Sequence, residues 1–118
     1  MAEVDTMRIG CGAGFSSDRL EPAIDLARRG KLDWLIVETI GERTMAFGHR
    51  DRRLDPGRGY NPQLAQRMRG VLETCRAHGT RIVTNMGVAN VPAAADLTVA
   101  IARELGLAGL KVAAVEGG

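Results

Sequence analysis

Four short apolar stretches, at residues 7–10, 32–40, 81–85 and 110–115, each carry branched side chains, and segments of helical periodicity separate them. That alternation is the strongest constraint on the fold. Strands that read as continuous apolar runs, not as strict polar–apolar alternation, belong to a parallel sheet covered on both faces. The order is β-α-β-α-loop-α-β-α-β, and the class is α/β: a parallel sheet of about four strands with flanking helices. A Rossmann-like doubly wound sheet and half of a β/α barrel repeat the same unit, so both stay open.

The helical segments carry their own punctuation. Pro22 suits a first turn and Gly30 a stop, while Leu64, Met68, Val71, Leu72 and Cys75 form one stripe that ends at His78 and Gly79. Leu97, Ala100, Ile101 and Leu105 form another, opened by Pro92 and closed by Gly106. A further helix is expected from Glu42 to about Arg53. It leads into the turn-rich stretch Asp55-Pro56-Gly57-Arg58-Gly59-Tyr60-Asn61-Pro62.

A length of 118 residues suits one domain, 1–118, and 45% hydrophobic with 25% charged residues fits a globular chain. The net charge of +2 is too slight for a nucleic-acid partner, and one Trp, one Tyr and two Phe make no stacking platform. The run His49-Arg50-Asp51-Arg52-Arg53 is broken by an acid and reads as a solvated helix end. Cys11 and Cys75 form no CxxC, which argues against a disulfide framework or a zinc site and for reduced cytoplasmic thiols. No apolar run approaches the roughly 20 residues of a membrane span, and no basic-then-apolar leader is present. The expected location is cytoplasmic.

Ligands of parallel α/β folds bind outside the carboxyl ends of the strands, where loops and helix N-termini gather. The first strand is followed by Gly10-Cys11-Gly12-Ala13-Gly14-Phe15-Ser16-Ser17-Asp18. A dinucleotide fingerprint needs its third glycine where Phe15 stands, and no P-loop motif occurs anywhere, so neither NAD nor ATP is indicated. Gly12 and Gly14 can still present backbone amides to a phosphate or carboxylate, with the Ser16 hydroxyl beside them. The same glycines also serve a tight turn and close helix packing.

Asn85 and Asn90 flank the turn in Thr84-Asn85-Met86-Gly87-Val88-Ala89-Asn90. They orient a substrate carbonyl, or else Asn90 caps the following helix and Asn85 satisfies the loop. Glu38 ends the second apolar run and Glu116 the fourth; brought together they would act as base and acid or hold a divalent metal. Arg43 is a ready partner for Glu38. No metal-ligating cluster is assigned.

The fourth run is followed only by Glu116-Gly117-Gly118, so the expectation is either a piece of a longer protein, the N-terminal part of a larger fold, or a second protein chain that completes the sheet. The alternative to an enzyme is then a small non-catalytic subunit that docks through its exposed last strand.

Five motifs in one order carry a resemblance: RIGCGAGFSSDR at 8–19, Glu42-Arg43-Thr44, Gly59-Tyr60-Asn61-Pro62, TNMGVAN at 84–90 and KVAAVEG at 111–117. Together they resemble the N-terminal region of the acyclic terpene utilisation family, the AtuA type, over nearly the whole chain. Members are much longer and are associated with bacterial growth on citronellol and geraniol, through acyl-CoA thioesters. The resemblance implies a branched or isoprenoid carboxylic acid, or its CoA thioester, as the small molecule, with hydration, dehydration or carbon–carbon lysis as the step. It brings no catalytic set and no cofactor. The expected roles are therefore Glu38 for proton transfer, Arg43 for charge stabilisation, and Gly12, Gly14, Ser16, Asn85 and Asn90 for substrate binding. Glu116-Gly117-Gly118 departs from the Gly-Asp-Asp turn that members resemble there.

Overall fold

The computed structural model describes residues 6–117. Its elements are β1 (Ile9–Ala13), α1 (Glu21–Arg29), β2 (Trp34–Val37), α2 (Glu42–Leu54), α3 (Leu64–His78), β3 (Arg81–Thr84) and α4 (Val91–Glu104). The strands form one parallel sheet in the order β1-β2-β3. The α/β class is as expected and is consistent with a Rossmann-like fold, with three strands rather than four.

β1 starts two residues later than the apolar run and continues through Gly10 and Gly12 to Ala13. The glycines face α1. A Cβ on Gly10 would lie 2.6 Å from Leu32 Cδ1 and 2.7 Å from Leu26 Cδ2, and one on Gly12 would lie 3.2 Å from both Ala23 Cβ and Leu35 Cδ1. Their missing side chains let α1 settle on the strand.

α1 packs on β1 and on α3, α3 reaches β3, and α4 lies against α3. Leu64, Met68, Val71, Leu72 and Cys75 of α3 are all buried, as their spacing predicts. In α4 the buried line is Ala94, Thr98, Ile101 and Ala102, and Ala100 is exposed. Thr98 can take a core position because its hydroxyl donates to the Ala94 carbonyl at 2.8 Å. The Cys75 thiol is pushed up to about 11 by burial.

The opposite face of the sheet has no helix among the described residues. There Ile9 is 62% and Val83 48% exposed.

Residues 110–115 do not form the expected fourth strand and are irregular. α4 ends in turns at Gly106 (φ 71°) and Gly109 (φ 81°), and Leu107 and Leu110 pack against the core. The backbone beyond meets no sheet edge, and a strand without a neighbour has no partners for its N–H and C=O groups.

Gly10→Ala is expected to lower unfolding free energy by about 1–3 kcal/mol, because the new methyl overpacks two core leucines. Gly14→Ala, which opens onto empty space at a negative φ, is expected to raise it by about 0.4–1 kcal/mol. Denaturant unfolding of both variants checks the pair.

Candidate functional site

The loops after all three strands meet at the carboxyl edge. In the first of them, two backbone amides are already occupied. Asp18 accepts the Gly14 N–H at 2.9 Å through Oδ2 and the Arg19 N–H at 2.9 Å through Oδ1. The anion held by the glycine loop is thus the chain's own carboxylate.

Arg67 of α3 locks this loop from behind. Its guanidinium donates to the carbonyls of Asp18 and Arg19 and to Gln63 Oε1, and the residue is only 2% exposed. Burial pulls its pKa down, and the Asp18 charge opposes that pull. Its Nε has no partner.

Asn61 joins the first loop to the third. Its Nδ2 donates to the Ser16 carbonyl at 3.1 Å, its Oδ1 accepts the Gln63 N–H at 2.8 Å, and its own N–H donates to the Met86 carbonyl at 2.8 Å. Asn61 is 1% exposed. Its position in Gly59-Tyr60-Asn61-Pro62 reads as turn chemistry, so only the family resemblance marks it.

Glu38 and Asn85 are brought together across the ends of β2 and β3. Asn85 Nδ2 donates to Glu38 Oε1 at 3.0 Å, and Asn85 Oδ1 accepts the Thr39 N–H at 2.9 Å. The Ile40 N–H donates to the same Glu38 oxygen at 2.7 Å. These two donors, Asn85 first, hold the Glu38 carboxyl below the usual carboxylate range, weakly opposed by desolvation.

The other sequence candidates part company. Arg43 is exposed in the first turn of α2 and makes no ion pair with Glu38. The donors to Glu38 are instead the Ile40 amide and the Asn85 side chain. Gly12 is buried inside β1. Asn90 caps α4 through the Ala93 N–H at 3.4 Å and donates to the carbonyls of Pro56 and Arg58 at 2.9 and 2.7 Å, so it serves the scaffold. Glu116 is exposed in the irregular segment. Among the described residues, no three His, Cys, Asp or Glu side chains form a metal-binding group.

A cleft of about 220 Å³ opens between α2, the glycine loop and the loops before α3 and after β3. Phe47, Tyr60, Pro62 and Val88 give it apolar walls. Ser16, Thr44, Arg50 and Asp51 line it with polar groups. The Arg50 guanidinium lies 5.0 Å from the Phe47 ring centroid.

Val88 is held at φ 50°, a conformation that a β-branched residue rarely adopts. Gly48 of α2 makes room for it: a Cβ there would lie 2.7 Å from Val88 Cγ1 and 2.9 Å from the Gly59 carbonyl oxygen. The Ala89 N–H donates to that same carbonyl at 2.9 Å, and Arg52 Nη1 donates to the Ala89 carbonyl at 2.8 Å. Strain of this kind collects where surrounding structure over-determines a site.

Residues of four of the five sequence motifs therefore line one cleft: Ser16, Thr44, Tyr60-Asn61-Pro62 and Val88. A family model, acyclic terpene utilisation family protein AtuA, matches residues 7–118. The chain belongs to the acyclic terpene utilisation family. No curated protein and no solved structure matches it. In this AtuA-family chain no helix among the described residues is long and apolar enough to cross a membrane.

Two outcomes are expected here. Gly48→Ala should destabilise the fold by about 1–3 kcal/mol, against helix propensity, and a cycle with Val88→Gly should show a coupling of about 0.5–3 kcal/mol. Additive effects would mean that Gly48 and Val88 do not constrain each other. Asn85→Ala should raise the Glu38 pKa toward its ordinary value, read by carboxyl NMR titration. Because the folded pKa is depressed, the Glu38 contribution to stability is present above the unfolded carboxylate pKa and is lost as pH falls through the folded value.

Proposed function

We propose that this AtuA-family chain binds a branched or isoprenoid carboxylic acid, or its CoA thioester, as part of an enzyme that hydrates, dehydrates or cleaves it. The observation that carries this reading is the convergence of the motif loops on a cleft with one apolar side and one polar side. An isoprenoid tail fits against Phe47, Tyr60, Pro62 and Val88, where burying each CH₂ is worth about 0.8 kcal/mol. The carboxyl or thioester end lies toward Ser16 and Arg50, with the exposed Arg43 available to the phosphates of a CoA carrier.

Gly14 and Asn85 support the site from the loops that frame it. Glu38, outside the cleft lining, is held ionised by Asn85 and the Ile40 amide, so in this reading it accepts a proton as a weak base and does not donate one. Two free cysteines agree with a cytoplasmic setting. A second reading, in which the chain joins a partner polypeptide, is favoured by the bare sheet face and by residues 110–115, which pair with no strand among the described residues.

Calorimetric titration with geranic acid, its CoA thioester and free CoA tests the first reading. The thioester should bind tighter than either part, and Phe47→Ala and Arg50→Ala should each weaken it by about tenfold. Equal binding of thioester and free CoA, or indifference to both substitutions, would place the ligand elsewhere.

A further inference from the structure

Two unsatisfied features lie on one sheet. In register, Ile9 stands beside Trp34 and Arg81, and Cys11 stands beside Ile36 and Val83, all on the face that carries no helix. Met7, 66% exposed, extends the patch. A parallel sheet is covered on both faces in stable folds. Three strands about 4.8 Å apart and four residues of about 3.3 Å each make a plane of roughly 190 Å². A stable interface takes about 800 Å² from each partner. Face-to-face contact alone is too small, so an occupant must bring backbone as well as side chains.

The chain carries that backbone itself. After β3 and α4, the connection rules for parallel sheets put a fourth strand beside β3. That outer edge of β3 pairs with no strand among the described residues. The segment suited to it, Lys111-Val112-Ala113-Ala114-Val115, makes no backbone hydrogen bond to the other described residues, and Val115 is 83% exposed. An acceptor edge and an unplaced strand-forming segment thus coexist in one molecule.

We propose that two copies of this chain exchange residues 110–115, each segment pairing parallel with β3 of the other copy. Exchange is a low-cost route to a two-fold dimer because each segment takes the place its own chain order prescribes. It also removes an open sheet edge, extends the bare face by a strand in both copies, and adds backbone pairing to an apolar contact that is too small alone. The proposal rests on the sheet and the segment and is independent of the ligand cleft.

Sedimentation equilibrium of the full chain, of Ala113→Pro and of Ala114→Pro tests it. Adjacent N–H groups of an edge strand point alternately to the sheet and to solvent, and proline is tolerated only on the solvent side. The unsubstituted chain should dimerise. One proline should raise the dimer dissociation constant by about tenfold or more, and the other should change it by less than about threefold. Both variants should keep the far-ultraviolet circular dichroism of the parent, since the two positions are exposed. A chain that stays monomeric at every concentration, or a dimer that responds equally to both prolines or to neither, overturns the exchange.

Discussion

Loops at the edge of a parallel sheet carry backbone amides and carbonyls that no ladder satisfies, and in this fold three asparagines satisfy them. Leaving one such group buried without a partner costs about 1–3 kcal/mol. An amide side chain both donates and accepts, so a single residue can fasten two segments. Asn61 ties the glycine loop to the start of α3, Asn85 ties the exits of β2 and β3, and Asn90 ties the segment before α3 to α4. Because these bonds fix the loops to one another, the cleft between them is formed before any ligand arrives.

The glycine loop shows how an internal group can take the place of a ligand. Asp18 returns its carboxylate to the amides of Gly14 and Arg19, and Arg67 holds the carbonyls on the other side. A buried guanidinium is tolerated when most of its donors are bonded and a counter-charge lies near. The Asp18 and Arg19 carbonyls and Gln63 take the Nη donors, Nε stays unpartnered, and the Asp18 carboxylate supplies the charge. The loop is therefore a rigid wall. Ser16, between the two locked amides, is the member that reaches the cleft.

Periodicity made the helices readable, because a buried stripe such as Leu64 to Cys75 is a local property of the chain. Three strands were readable for the same reason, although β1 slid toward its glycines once α1 was placed against them. The fourth run failed because a strand is defined by its neighbour, and hydrophobicity says nothing about whether a neighbour is present. The pairing of Glu38 with Asn85 joins positions 47 apart, which no spacing rule connects. Asn61 and Gly48 were hidden in a different way. One looks like an ordinary turn residue, the other like a poor helix residue, and only the approach of Val88 and the glycine loop explains either.

α2 is the wall of the cleft that the core anchors least. It packs mainly on loops, not on the sheet, and its buried residue is Gly48. Its anchors are the contact of Gly48 with Val88 and Gly59 and the bond from Arg52 to the Ala89 carbonyl. Few apolar contacts bind the helix to the core, so its docking free energy is small compared with that of α3, and local stability follows such contacts. Phe47, Arg50 and Asp51 stand on this helix, so a ligand filling the cleft adds contacts to the least anchored wall. A ligand that binds the cleft as it stands stabilises the docked helix by mass action. The strained Val88 fixes how near α2 stands to the loop after β3, because the helix can approach no nearer than the valine side chain allows.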